Sequence, residues 1–321
     1  MFNWSFSPTY FYVFSLPEHN IFADYPFICI VSMINFKGTA PAIITPFTPK
    51  GDVDYNALGS LVEYWISGGV DFLVVLGTTG ESVTLDKHEK KEVFEFVSNQ
   101  TNGRVPVVLG IGGNNTREVI DSLGHFDLSK AQGILSVSPY YNKPTQDGIF
   151  AHYSAFAAEC PLPIILYNVP GRTGSNVLPA TTLKLAHEVE NIVAVKEASG
   201  NMEQIMQIIA DKPEEFNVLS GDDAITLPLL ACGVDGVISV VANSHPREFT
   251  DMVRSGLAGD FAKARELHYP ILKIIEHLFI EGNPAGIKAV MKIKGLCGDN
   301  VRLPLVNISE GLYEKIERIV K

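Results

Sequence analysis

Eight short apolar runs, many of them β-branched, recur from Thr39 onward and alternate with longer amphipathic stretches. They are Ala40–Thr45, Phe72–Leu76, Val105–Gly110, Gly133–Ser138, Ile164–Asn168, Ile192–Lys196, Asn217–Ser220 and Gly236–Val240. Several are apolar throughout, such as Pro163-Ile164-Ile165-Leu166, which is the pattern of strands covered on both faces. Their spacing is about thirty residues, room for one strand and one crossover helix. Helix starts are legible in between. Asp86 precedes Glu89 by three positions, a capping box ahead of Val93, Phe94 and Val97. Pro179 sits where a first helical turn tolerates it, ahead of Leu183 and Leu185. Eight such units favour an α/β fold of the (β/α)8 barrel type over an open doubly wound sheet.

After Pro246 the strand signal stops. The remainder reads as helices, with periodic Leu267, Ile271, Ile274, Ile275 and Leu278 and a break at Gly282-Asn283-Pro284. We therefore expect a catalytic barrel over residues 36–245 and a helical subdomain over 246–321. Residues 1–35 differ from both. They hold six Phe, three Tyr and a Trp, with no Lys or Arg before Lys37. A secretory signal needs a basic start, and the run Phe27–Ile34 is too short to span a bilayer. We read residues 1–35 as an N-terminal extension. One explanation is a gene-model artefact, with translation starting at Met33. A native peptide covering Phe11–Leu16, found by mass spectrometry, would end that idea.

Hydrophobic residues make up 46% of the chain and charged residues 19%, the balance of a soluble globular protein. The formal net charge of −11 repels phosphate backbones and argues against a nucleic-acid partner. The four cysteines, Cys29, Cys160, Cys232 and Cys297, form no CxxC pair. They read as packing residues of a protein in a reducing, cytoplasmic compartment, and no metal site is expected.

In a barrel of this kind the C-terminal strand ends converge on one mouth. Four of those ends are chemically unusual. Lys196 follows the apolar run Ile192-Val193-Ala194-Val195. A lysine there loses hydration, and desolvation favours an uncharged amine that can attack a ketone. The alternative is an ammonium that snorkels to solvent. Thr78 and Thr79 lie in Gly77-Thr78-Thr79-Gly80-Glu81-Ser82, a loop able to aim hydroxyls and N–H groups at a carboxylate, or else an ordinary turn. Tyr167 and Tyr141 are phenols able to relay protons, or half-buried aromatics with surface hydroxyls. Arg172 follows a Pro-Gly turn and could clamp a carboxylate in a bidentate pair, or lie free on the surface. Gly110-x-Gly112-Gly113 lacks the spacing of a dinucleotide loop.

Taken together, Gly77–Ser82, Tyr140-Tyr141-Asn142-Lys143-Pro144, Tyr167–Gly174 and Val195-Lys196-Glu197-Ala198 resemble the pyruvate-dependent, lysine-imine aldolase family of dihydrodipicolinate synthases and N-acetylneuraminate lyases. The resemblance runs from about Phe36 to the C-terminus and includes Ser220-Gly221-Asp222-Asp223 and Gly236–Val240. It implies Lys196 as the imine-forming lysine and Thr79 as the binder of the pyruvate carboxylate. It implies a proton relay of Tyr167, Thr78 and Tyr141, with Tyr141 reaching in from a neighbouring subunit of a homotetramer built as a dimer of dimers. It implies Arg172 as the clamp on L-aspartate 4-semialdehyde, Ile238 as a backbone carbonyl lining the imine site, and Gly221 beside the substrate. No metal or organic cofactor is implied, because the lysine is the covalent handle. Nor is a membrane partner. A guanidinium at position 172 favours a dicarboxylate product of lysine and diaminopimelate biosynthesis. A sugar-acid aldolase of the same family and a catalytically silent binding barrel are the rival readings.

One departure concerns regulation. Many bacterial relatives carry a lysine-inhibitor site with histidines just after the Gly-Glu-Ser loop. Here Lys87 and Lys90 take those places, while Ser82, Asn114, Glu118 and Tyr140 still match. Two ammonium groups would repel a lysine ligand, so weak or absent feedback inhibition is expected.

Overall fold

The computed structural model describes residues 36–321. The extension over residues 1–35 and the start at Met33 lie outside the described residues. The strands are β1 (Gly38–Pro41), β2 (Leu73–Val75), β3 (Val107–Gly110), β4 (Gly133–Val137), β5 (Ile164–Asn168), β6 (Ile192–Glu197), β7 (Asn217–Ser220) and β8 (Gly236–Ser239). All pair in parallel in the order β1-β8-β7-β6-β5-β4-β3-β2. A parallel bridge between Ala42 and Val74 closes the ring, and the Ile43 N–H donates to the Val74 carbonyl at 2.9 Å. The expected (β/α)8 barrel is the observed fold.

β5 and β7 coincide with their apolar runs. β1 is displaced toward the N-terminus of its run. Between Pro41 and Thr45 the chain keeps the Ala42 bridge to Val74, and the Thr45 hydroxyl donates to the Gly80 carbonyl at 2.7 Å. Apolarity there marks burial in a loop, which periodicity alone does not separate from a strand.

The helices are α1 (Tyr55–Ser67), α2 (Lys87–Thr101), α3 (Thr116–Leu123), α4 (Gln146–Glu159), α5 (Pro170–Thr173), α6 (Pro179–Glu188), α7 (Met202–Asp211), α8 (Thr226–Cys232), α9 (Pro246–Leu257), α10 (Phe261–Leu278), α11 (Ala285–Ile293) and α12 (Glu310–Val320). The capping box of Asp86 and Glu89 starts α2, and Pro179 opens α6. α9 packs on α1, α8 and β1, and α10 packs on α9 and α12. The buried stripe of α10 is Ala264, His268, Ile271, Ile274, Ile275 and Leu278, with Leu267 only half-buried. Among the described residues no helix is long and apolar enough to cross a membrane.

The core has two layers. The larger lies between strands and helices and includes Trp65, Phe94, Phe156 and Phe249. The smaller fills the barrel itself, with Phe36, Phe72, Val108, Ile165, Ala194 and Ile238. Phe36 and Phe72 stack at 5.6 Å between ring centroids. Each fully buried aromatic or aliphatic side chain contributes about 2 kcal/mol. Beyond this plug, cavities open at the C-terminal strand ends, where the barrel architecture collects functional groups.

Candidate active site

Strand alternation decides which way each residue of β5 and β6 points. Ala194 lies in the inner core and Val195 in the outer one, so Lys196 faces inward and Glu197 outward. On β5, Ile165 and Tyr167 likewise face in. Tyr167 and Lys196 are register partners. The Lys196 Nζ therefore stands 4.3 Å from the centroid of the Tyr167 ring. Lys196 is only 5% exposed, so it does not snorkel to solvent. None of the ion pairs among the described residues involves it.

Gly221 provides the space beside this amine. A Cβ there would lie 3.0 Å from the Lys196 Cε and 2.7 Å from the Ala198 Cβ. Its N–H is tied to the Glu197 carbonyl at 2.7 Å, so the close approach is built in.

Opposite the lysine, Thr78–Gly80 forms a tight turn in which Thr79 is buried and Thr78 exposed. The Thr79 hydroxyl accepts a hydrogen bond from the Asn283 Nδ2 at 3.0 Å. A threonine hydroxyl has one proton to give, so that proton remains free for a ligand oxygen. The Asn283 carbonyl in turn accepts from the Arg172 guanidinium at 3.3 Å. Thr78, Thr79, Tyr167, Arg172, Lys196 and Gly221 all line one cavity of about 460 Å³. Phe279 and Asn283 also stand in its wall, and the sequence marked neither as a site residue. Asn283 appeared there only as part of a helix break.

Two expected site residues, Ile238 (named for its backbone carbonyl) and Tyr141, are not among the residues that line this cavity. Ile238 packs in the inner core as the register partner of Ala40, and the cavity wall at that strand end is Val240 with Ala42. Tyr141 is 87% exposed, with its N–H donating to the Thr173 carbonyl at 3.3 Å, and it lines none of the cavities described here. Within a single chain it stays apart from Lys196.

The mouth continues outward. A cavity of about 380 Å³ shares Thr78, Tyr167 and Arg172 with the first and adds Ser82, Lys90 and Tyr140. A third, of about 640 Å³, holds Lys87, Lys90, Asn114, Glu118 and Tyr140 together. The residues expected around a regulatory ligand thus converge. Burial, and then the neighbouring Lys87 charge, hold the Lys90 ammonium below its ordinary range, while Asp86 opposes them.

Two buried polar clusters support the inner site. Behind β6, Glu197 accepts from Asn168 (its register partner), from Ser199 and from the Gln204 amide. Burial raises the Glu197 carboxyl above its usual range, against the pull of these donors. At the end of the threonine turn, Glu81 pairs with Lys288 of α11, their side chains 1% and 0% exposed. Burial draws the Lys288 ammonium below its ordinary range, and Glu81 opposes the shift. The second cluster has no local sequence signature, because its partners lie 207 positions apart. Among the described residues no cluster of three His, Cys, Asp or Glu side chains is placed to hold a metal ion.

A family model, the dihydrodipicolinate synthetase family, matches residues 35–321. The chain belongs to this family. The 4-hydroxy-tetrahydrodipicolinate synthase of Parabacteroides distasonis is 51% identical over 288 residues, covering 90% of this chain and 97% of the relative. The crystal structure of dihydrodipicolinate synthase from Aquifex aeolicus superposes with a TM-score of 0.86 at 45% identity, covering 89% of this chain and 97% of that one. A solved structure of a monomeric dihydrodipicolinate synthase variant gives a TM-score of 0.87 at 37% identity, covering 90% and 97%. Family membership extends over the whole described barrel and its C-terminal helices, and so includes every residue of the Lys196 cavity.

Proposed function

We propose that this chain is a Schiff-base-forming lyase that condenses pyruvate with L-aspartate 4-semialdehyde to 4-hydroxy-tetrahydrodipicolinate, in lysine and diaminopimelate biosynthesis. The observation that carries this reading is Lys196, buried against the Tyr167 ring in a cavity that also holds Thr79 and Arg172.

The chemistry follows from those positions. The Lys196 amine attacks the ketone carbon of pyruvate, and loss of water leaves an imine. The pyruvate carboxylate accepts a hydrogen bond from the Thr79 hydroxyl. The imine withdraws electrons, so a methyl proton leaves and an enamine forms. Tyr167 and Thr78 carry protons in these steps, with Tyr141 contributed by a neighbouring subunit. The enamine carbon attacks the aldehyde of the second substrate, whose carboxylate Arg172 holds. The amino group of the adduct then attacks the imine carbon, expels Lys196 and closes the ring. The imine formed on Lys196 is the electron sink, so the scheme calls for no metal or organic cofactor. An exposed Tyr141 suits a homotetramer built as a dimer of dimers. The free thiols of Cys160, Cys232 and Cys297 suit a cytoplasmic enzyme.

Steady-state turnover on pyruvate plus L-aspartate 4-semialdehyde, compared with cleavage of N-acetylneuraminate and 2-keto-3-deoxy-sugar acids, tests the reading. The condensation should win in kcat/KM by at least about 100-fold. A preference for a sugar acid would move the chain to the aldolase branch of the family. No turnover on any of them would favour a silent binding barrel.

A further inference from the structure

We infer that the buried Glu81–Lys288 pair is a positioning device that sets the carboxylate-binding turn Thr78–Gly80 against the Lys196 amine. The inference rests on the roles proposed above for Lys196 and Thr79.

Glu81 ends the turn in the left-handed region, at φ +54° and ψ +35°, where a side chain other than glycine is uncommon. Such a conformation persists only where the surroundings over-determine it. Every polar atom of this residue is held. Its N–H donates to the Thr78 carbonyl at 3.1 Å, and its carbonyl accepts from the Thr84 N–H at 2.9 Å. One carboxylate oxygen takes the Lys288 ammonium, and the other takes the Arg302 backbone N–H at 3.0 Å. Lys288 is saturated as well. Its Nζ donates to the Asn300 carbonyl at 2.9 Å and lies 4.1 Å from the Phe47 ring centroid.

Stability alone is a poor reason for such a pair. Two charges taken out of water lose about as much hydration as they regain in attraction, and apolar replacements of similar volume often do as well. Geometry is the stronger reason. Asn283 holds the Thr79 hydroxyl, and Lys288, five positions later, holds Glu81. One segment after the helix break thus grips the turn at two points two residues apart. The same Asn283 takes Arg172, so this segment sets both proposed carboxylate binders from behind.

The test uses Glu81→Gln, Lys288→Met and the double variant in the full-length protein. Borohydride trapping of the pyruvate adduct on Lys196 is followed against pyruvate concentration, beside thermal unfolding. Each single variant should raise the half-saturating pyruvate concentration by roughly tenfold, the loss expected when one charge-assisted contact no longer holds its partner. The plateau yield on Lys196 should be unchanged. The double variant leaves no unpaired buried charge, so it should regain thermal stability yet keep the weakened pyruvate saturation. The inference fails if the variants lose stability while half-saturation stays within twofold of the parent. It fails equally if none of the three folds, since the pair would then serve folding alone. If the parent protein gives no adduct, the proposed chemistry is at fault instead.

Discussion

Two lysines sit in the interior of this molecule, and they are treated in opposite ways. Lys288, on α11, meets a carboxylate, a backbone carbonyl and an aromatic face. Lys196, at the end of β6, meets the face of Tyr167 and open cavity. The first is held at three points and cannot reach a ligand. The second has no partner among the ion pairs of the described residues and opens onto the cavity, where its nitrogen can meet a ligand. Burial alone therefore does not mark a reactive lysine. The deciding feature is what else shares the space.

The largest test of this contrast is Lys196→Ala. Condensation should fall by roughly 10,000-fold or more while thermal unfolding barely moves, since no ion pair is broken. Activity within tenfold of the parent would break the comparison. Tyr167→Phe keeps the ring against Lys196 but removes the hydroxyl, and kcat should drop by roughly 100- to 1000-fold. Arg172→Ala should lower kcat/KM for L-aspartate 4-semialdehyde by about 100-fold while borohydride trapping with pyruvate persists. If trapping disappears too, the clamp assignment is wrong.

Burial also acts on a half-buried histidine. Burial, and then the Lys294 charge, lower His245 to about 4, with Glu248 opposing. Between pH 6.5 and 4 the unfolded chain takes up a proton that the folded one refuses, so this contribution to stability, present above pH 6.5, is lost on acidification. The loss is up to about 3 kcal/mol. Burial lifts Asp223 to about 6, so its charge penalty is relieved over a similar range with the opposite sign. Comparing the parent with His245→Asn by denaturant unfolding at each pH cancels the Asp223 contribution. A stability difference that does not change from pH 7 to 4 would remove His245 from the account. The smallest effect concerns the outer cavity. With Lys87 and Lys90 facing it, added lysine should inhibit weakly or not at all, and a sub-millimolar inhibition constant in a steady-state assay would contradict this.

Much of this was legible in the chain. Strands covered on both faces are written as unbroken apolar runs, so β5, β6 and β7 could be placed almost to the residue. Reactive groups sit at strand ends, so Lys196, Tyr167, Thr79 and Arg172 could be named and do share a cavity. Asn283 and Lys288 show one limit of such reading. Their partners Thr79 and Glu81 lie more than 200 positions earlier, and no periodicity connects such groups. Tyr141 marks a second, since its proposed work lies in a neighbouring subunit.

The account stands or falls on the Lys196 nitrogen becoming covalently bound to pyruvate. Incubation with pyruvate and borohydride, followed by peptide mapping, measures this directly. The account predicts one reduced pyruvyl adduct per chain, on Lys196 and absent from Lys196→Ala. An adduct on Lys288 or on Lys90, or none at all, would contradict it.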